Sequence, residues 1–162
     1  MPQISTARQN ATRVLLTAGL IAGTLDICTA FVQVYLRSGK NPLVVLNYIS
    51  SAIVGKEQAY GGGTWMMILG LLLHYVIAFA FTFFFFWLYP RWSVLAKNRF
   101  LTAFVYGLFV WAVMNLIIVP ASRIAKFPSD PVQAGIAAAI LICMIGLPLS
   151  FIIGSYHDRK KQ

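Results

Sequence analysis

Four apolar runs, each long enough to cross a bilayer as a helix, constrain this 162-residue chain more than any other feature. A helix needs about 20 apolar residues to cross the hydrocarbon core, and the runs cover residues 14–36, 65–88, 100–121 and 134–156. Only 10% of the residues are charged and 59% are hydrophobic, whereas about a quarter of an ordinary soluble domain is charged. The sequence therefore predicts an all-α integral membrane four-helix bundle, with residues 1–162 forming one transmembrane domain.

The basic excess of the chain fits the connectors of a membrane protein. A net charge of +9 would suit nucleic-acid binding, but the basic residues are scattered over short connectors, without a continuous patch or interleaved aromatic residues. We therefore expect the lipid bilayer, and no nucleic acid, as the surroundings of this chain. Lys and Arg are more numerous in the N-terminal segment, the second connector and the tail than in the other two connectors, which predicts that both termini are cytoplasmic.

Aromatic residues support the predicted ends of the spans. Trp87, Tyr89 and Trp92 stand at the proposed cytoplasmic end of the second run, and Tyr35 and Tyr156 stand at other run ends. Amphipathic rings favour the headgroup level of a bilayer. These positions therefore agree with four spans that end where the apolar runs end.

The first connector holds a short helix over residues 42–54. Asn41 is a candidate N-cap, Pro42 suits the first helical position, and Gly55 suits the position after the helix end. About 12 residues give roughly 18 Å of helix, which is too short to span. One face of this helix is mostly polar and comprises Asn47, Ser50, Ser51 and Val54. Two interpretations stay open, an interfacial helix on the outer leaflet and a re-entrant segment that caps a polar cavity.

Three spans each carry a polar residue within their apolar run, namely Asp26, His74 and Asn115. At 1.5 Å per residue, all three lie about 18–22 Å from the cytoplasmic end of the span. Each is on a stripe of small residues, where membrane helices pack closely. The glycines predicted to pack helices together are Gly19, Gly23, Gly70, Gly107 and Gly146.

These three residues form the candidate site of the chain. Asp26 and His74 are the natural pair, and the Asn115 amide could donate to the carboxylate. Ser122 and Arg123 follow the third span and are candidates for the outer mouth of the site. A polar clamp between helices and a functional site are equally compatible with the pattern, since a buried charge in a membrane is costly and is by default a functional hypothesis.

The remaining motifs favour no known chemistry. Cys28 and Cys143 both lie inside apolar runs, with no CxxC and no Cys/His spacing for a metal. A strained nucleophile elbow of the GxSxG type is also missing from the sequence. We therefore expect no metal, no cofactor, no catalytic residue and no enzymatic activity.

Four stretches resemble a family of small bacterial multi-span inner-membrane proteins of the YagU type. They are "GLIAGTLDICTAF", "LNYISSAIVGKEQAYGGG", "LGLLLHYVIAFAFTFFFF" and "YGLFVWAVMNLIIVPAS", between residues 19 and 122. The resemblance implies a multi-span fold in the bacterial inner membrane and assigns no activity. It also places Asp26, His74, Asn115 and Pro120 within the motif stretches.

The sequence leaves three functions open. The first is the handling of a proton, an ion or a small solute at Asp26, His74 and Asn115, with a homodimer expected because four spans are few for a transporter. The second is a structural or accessory subunit that docks through the connector helix. The third, and weakest, is a lipid-acting enzyme that pairs Asp26 and His74 with Ser50 or Ser51 as nucleophile.

Overall fold

Helices make up the fold throughout the described part of the chain. The computed structural model describes residues 3–91 and 97–159, with side chains in the first helix described from residue 10. The predicted anchor Trp92 and the tail lysines Lys160 and Lys161 lie outside the described residues. The helices are α1 (Gln3–Ser38), α2 (Val44–Val54), α3 (Lys56–Gly61), α4 (Thr64–Leu88), α5 (Arg99–Ala121) and α6 (Pro131–Arg159).

Four of these helices, α1, α4, α5 and α6, are long and apolar enough to cross a membrane. The shorter apolar α2 lies between the first two of them. The predicted fold class, an all-α four-helix bundle with one additional short helix, is therefore confirmed. The structure adds the short helix α3, and α1 begins well before the predicted residue 14.

Local capping sets the starts of α5 and α6. The side chain of Asn98 accepts from the backbone N–H groups of Phe100 and Leu101, at 3.0 and 3.2 Å. Asp130 caps α6 in the same way, and Pro131 occupies its first helical position, where a missing N–H costs no hydrogen bond. The α6 helix thus begins at Pro131, three residues before the predicted start, because the capping aspartate and the proline start the helix before the apolar run does.

Two π-helical turns interrupt the spans, and each ends two residues before a proline. The turn Val113–Ile118 lies in α5 before Pro120, and the turn Ile142–Gly146 lies in α6 before Pro148. Proline has no N–H, and its ring crowds the carbonyl four residues earlier, which in both cases belongs to a residue of the π turn. Both spans are therefore irregular in the turn that precedes the proline.

Close approach of backbones holds the helices together at glycine. A Cβ on Gly146 would collide with the backbone carbonyl of Ala103, and a Cβ on Gly107 would collide with the backbone of Ile142, so α5 and α6 meet through both glycines. Gly70 likewise lies directly against the Leu46 carbonyl, where α4 meets α2.

The two remaining predicted packing glycines lie on α1 against α4. Gly19 faces the Phe79 ring, and a Cβ on Gly23 would lie 3.1 Å from the Tyr75 ring and 3.2 Å from the Ala78 Cβ. All five predicted glycines are thus found against a neighbouring helix. The glycine at these positions allows two helices to approach to backbone contact.

Aromatic side chains join α4 to α5. The Tyr106 hydroxyl donates to the Phe81 carbonyl at 2.6 Å, and the rings of Phe85 and Tyr106 lie 4.5 Å apart between centroids. Near the chain termini, Arg99 pairs with Asp158 at 3.0 Å and ties the start of α5 to the end of α6. Bulky rings therefore hold α4 and α5 apart, whereas glycines bring α5 and α6 close.

The largest cluster of buried apolar side chains lies in one half of the bundle. Its buried residues come from the half that contains the chain termini, and they comprise Ala18, Ala22, Phe85, Tyr89, Tyr106, Val110, Ile145, Leu149 and Ile153. Compared with this cluster, Asp26 and Asn115 lie about one turn further from the end that holds the chain termini, and His74 lies about three turns further. The three polar residues therefore lie beyond the cluster, seen from the chain termini.

Candidate functional site

A cavity of ≈ 300 Å³ lies between α1, α2, α4, α5 and α6. Asp26, His74 and Asn115, from three different spans, all contribute to its wall. The other lining residues are apolar except for Gln33 and Tyr48. Ligand pockets in proteins commonly have a volume of about 300–1,000 Å³ and are mostly apolar with a few convergent polar groups, so this cavity has the composition of a binding site.

The imidazole of His74 is held by the backbone of α1. Its Nε2 lies 2.8 Å from the carbonyl oxygen of Gly23. A carbonyl can only accept, so Nε2 carries the proton, and Nδ1 is the acceptor nitrogen when the ring is neutral. The absence of a Cβ at Gly23 lets α4 come near enough for this bond, and the Tyr75 ring packs edge-on against the imidazole at 5.5 Å.

Asp26 has no hydrogen bond and no ion pair to any residue that the structure describes. The carboxyl is half-buried, and His74 is the charge-bearing neighbour that acts on it electrostatically. The predicted direct pair of Asp26 with His74 is therefore not formed, because the imidazole N–H is already used by the Gly23 carbonyl. The Asp26 carboxylate is therefore available to a ligand in the cavity.

Asn115 belongs to the π turn of α5 and uses its amide within its own helix. Its Nδ2 donates to the Trp111 carbonyl at 3.0 Å, so the predicted bond from Asn115 to the Asp26 carboxylate is also absent. The Oδ1 atom has no partner in the described part of the chain. Single π turns occur often at functional sites, and this one presents a polar residue on a span that is otherwise apolar.

A polar vestibule adjoins the cavity. It has a volume of ≈ 560 Å³, and Gln33, Tyr48, Asn115, Val119 and Ala137 line both spaces. Beyond these shared residues, the vestibule is lined by charged and polar residues of the α1 end, the α5–α6 loop and the start of α6, namely Arg37, Lys126, Ser129, Asp130 and Gln133. The cavity therefore communicates with a polar, net basic region at the end of the bundle.

An apolar groove borders the cavity on the opposite side, between α4 and α5. It is lined only by apolar residues, and two of them, Ile77 and Phe81, also line the cavity. The aromatic pair Phe84 and Phe109 stacks across this groove with ring centroids 5.5 Å apart. The cavity thus lies between a polar vestibule and an apolar surface.

Neither predicted mouth residue lines the cavity or the vestibule. The Ser122 hydroxyl donates to the Val119 carbonyl at 2.7 Å and closes the end of α5. Arg123 donates from its backbone to Ala52 and from Nη1 to Val54, at 3.0 and 3.2 Å. A cation at the carbonyl end of a helix is favourable, so Arg123 fastens the α5–α6 loop to the end of α2.

Helix α2 turns its polar face toward the protein. Ser50 and Ser51 are buried and donate to carbonyls of their own helix, Asn47 and Tyr48 respectively. Asn47 donates to Ala59 at 2.7 Å and holds α3 against α2. The two serines therefore lie outside the cavity wall, which α2 builds instead from Val45, Tyr48 and Ile49.

Sequence reasoning missed the polar residues that extend the cavity toward the vestibule. A signal for two of them was present, because Gln33 and Arg37 follow Asp26 by 7 and 11 residues and share its helical face. Lys126 and Asp130 had no comparable signal, since they lie in a loop whose course depends on tertiary contacts. No protein-family model, curated protein sequence or solved structure matches this chain.

Proposed function

We propose that this chain is a membrane protein that binds and conducts a proton, an ion or a small solute through the cavity between its spans. One observation supports this most directly: Asp26 faces a cavity of ≈ 300 Å³ and has no hydrogen-bonded partner in the described residues. An interhelical clamp would require direct bonds among Asp26, His74 and Asn115, and these bonds are absent. A costly intramembrane carboxyl without a structural partner favours a functional role.

The arrangement of the bundle suggests the path of the solute. The vestibule with Arg37 and Lys126 would face the outer side, given cytoplasmic termini, and the cluster of buried apolar side chains would close the cytoplasmic side. Ile53 of α2 and Leu43, the residue before the helix, are 55% and 40% exposed. Apolar residues outward and polar residues inward suit a re-entrant helix that faces lipid, and we favour this interpretation of α2 over an interfacial one.

Flux measurements in proteoliposomes test the proposal. The purified chain is reconstituted with a pH-sensitive dye inside the vesicles, and proton flux is recorded after a pH step, with and without a mixture of small solutes. We expect Asp26→Asn and His74→Ala to reduce the flux at least about tenfold, a typical effect of removing a positioned acid–base group. Glu57→Gln is the matched control, because it removes a carboxylate that is exposed and outside the cavity.

Two outcomes distinguish the alternatives. Flux that is equal in all variants and in protein-free vesicles contradicts conduction and favours the structural or accessory subunit. That subunit would then have to co-purify with a partner from native membrane in fixed stoichiometry.

We further propose a location in the bacterial inner membrane with both termini cytoplasmic, and a homodimer as the working unit. The charge bias of the connectors and the even number of candidate spans support the common side of the termini. C-terminal fusions to a fluorescent reporter and to a periplasm-dependent phosphatase test the orientation, with fluorescence and no phosphatase activity expected. Light scattering of the detergent-solubilised protein measures the oligomeric state.

A further inference from the structure

We propose that the solute bound in the cavity is a small organic amine, held as an ammonium ion at Asp26. This inference rests on the proposed function, because it names the chemical class of the solute that the same cavity binds. It follows from the hydrogen-bonding inventory of the cavity wall, from its charge and from its apolar and aromatic surface.

At the centre of the wall, Asp26 and His74 offer acceptors to the cavity. The donor of His74, Nε2–H, is used by the Gly23 carbonyl, and one of the two N–H donors of the Asn115 amide is used by the Trp111 carbonyl. The second N–H of Asn115 and the side chains of Gln33 and Tyr48 are further donors in the lining. The acceptors Nδ1 of a neutral His74, Oδ1 of Asn115 and the two oxygens of Asp26 remain. A molecule that binds at Asp26 and His74 can therefore satisfy these acceptors with N–H or O–H donors of its own.

The charge of the cavity wall also favours a bound ammonium ion. Asp26 is the acidic residue of the lining, and neither lysine nor arginine contributes to the wall. A carboxylate in apolar surroundings is stabilised by an opposite charge within hydrogen-bonding distance. An ammonium group carries that charge together with up to three donors in one small head.

The apolar surface of the wall favours an organic body over a bare metal ion. Most lining residues are aliphatic, and the rings of Tyr48 and Phe81 also line the cavity, where aromatic faces attract cations. A hard ion such as Ca²⁺ takes 6–8 oxygen ligands, and the described residues contain no group of three or more His, Cys, Asp or Glu that could hold a metal. The wall accordingly fits an amine with a hydrocarbon or aromatic substituent.

The basic residues of the vestibule favour a negatively charged ligand. An organic anion is therefore the alternative to an amine. Arg37 and Lys126 line the vestibule together with Asp130, and the Asp130 carboxylate is already engaged by the N-terminus of α6. These cations lie beyond Gln33 and Tyr48, outside the cavity that holds Asp26. An organic anion would place its charge in the vestibule, whereas an amine would place its charge at Asp26.

A series of ligands that share a benzyl group and differ in their head group tests the proposal. Isothermal titration calorimetry on the purified full chain in detergent compares benzylamine, N,N-dimethylbenzylamine and benzyltrimethylammonium, which have the same charge but three, one and no N–H donors. Benzyl alcohol supplies a neutral head and phenylacetate an anionic one. We expect benzylamine to bind most tightly, with affinity falling through the series by about tenfold or more overall, as charged hydrogen bonds are lost.

Substitutions in the cavity wall test whether benzylamine binds there. Asp26→Asn is expected to weaken benzylamine binding at least tenfold, while Glu57→Gln leaves the dissociation constant unchanged. Asn115→Leu removes an acceptor and should reduce the preference for benzylamine over benzyltrimethylammonium. A cooperative unfolding transition of Asp26→Asn without ligand verifies that the variant is folded. A ligand-dependent rise in the unfolding temperature of the wild type, absent in Asp26→Asn, then shows that the loss is one of binding.

The result that overturns the amine proposal differs from the one that overturns the proposed function. Tighter binding of phenylacetate than of benzylamine, or benzylamine binding that is unaffected by Asp26→Asn, rejects an ammonium site. If flux nevertheless depends on Asp26, the proposed function is retained with another solute. Absence of Asp26-dependent flux together with absence of any binding rejects both.

Discussion

The imidazole of His74 donates to the backbone carbonyl of Gly23 at 2.8 Å, rather than to the carboxylate of Asp26 less than one helical turn away. The glycine makes this possible, because a side chain there would meet the ring of Tyr75 and the methyl group of Ala78. The carboxylate and the imidazole are thereby kept as two separate groups of one cavity wall. Their separation favours the proposed binding site over a structural ion pair.

The free energy of unfolding of an Asp26 variant tests whether the carboxylate has a structural partner. We expect Asp26→Asn to leave the free energy of unfolding unchanged or to raise it, because the carboxylate stabilises no described partner and is costly in apolar surroundings. Titration with a denaturing detergent, followed by circular dichroism, measures the difference, with Glu57→Gln as the control. A loss of about 2 kcal/mol or more, on the order expected when a buried ion pair is broken, would show that Asp26 has a structural partner.

The bond from His74 to Gly23 should be weak in energy. We expect His74→Ala to lower the free energy of unfolding by about 0.6 kcal/mol, the average for side-chain hydrogen bonds between membrane helices. The effect on flux should be far larger than this small change in stability. Parallel loss of stability and flux, with His74→Gln restoring both, would instead indicate that the imidazole acts only as an interhelical link.

The glycines at the α5–α6 contact should tolerate no side chain. A Cβ on Gly146 meets the Ala103 carbonyl, a backbone atom that cannot move without shifting the helix, so Gly146→Ala should cost about 3 kcal/mol, the upper range for overpacking. Gly135 lies in the same helix, and a Cβ there would have no neighbouring atom within 4 Å. Gly135→Ala is therefore the matched control and should be neutral or slightly stabilising. Equal effects of the two variants on the unfolding temperature would contradict the close contact of α5 and α6.

Substitution of a vestibule residue should change flux, whereas substitution of the predicted mouth residue Arg123 should not. Gln33 lines both the cavity and the vestibule, and Gln33→Leu is expected to reduce proteoliposome flux several-fold by removing its polar contact with the solute. Arg123→Gln should leave flux unchanged, because Arg123 lies against the end of α2. Hydrogen exchange should still detect faster opening of the last turn of α2 in Arg123→Gln. A larger flux effect at Arg123 than at Gln33 would place the path elsewhere.

Much of the helical layout could be predicted from local sequence, but α2 begins at Val44 and not at the predicted residue 42, because Pro42 lies in a turn before the helix. The helix after residue 41 ends at Gly55 as expected, with φ at 89°, and Asn41 caps the turn that precedes it by accepting from the Leu43 N–H at 3.0 Å. The predicted start of α6 is wrong although its capping signal, Asp130 followed by Pro131, is local. The π turn around Asn115 could not be foreseen from apolar periodicity, which assumes a regular helix.

The sequence by itself determined the class of this protein and the candidates for its site. Runs of apolar residues require helices in lipid, because backbone groups must be satisfied within each segment, and polar residues in such runs must face the protein interior. Tertiary structure decided which partner each polar group found. Hydrogen-bond partners depend on rotation and separation of neighbouring helices, set by contacts such as Gly146 on Ala103 and Phe85 on Tyr106. With these contacts in place, the His74 imidazole donates to the backbone carbonyl of Gly23, and the Asp26 carboxylate faces the cavity.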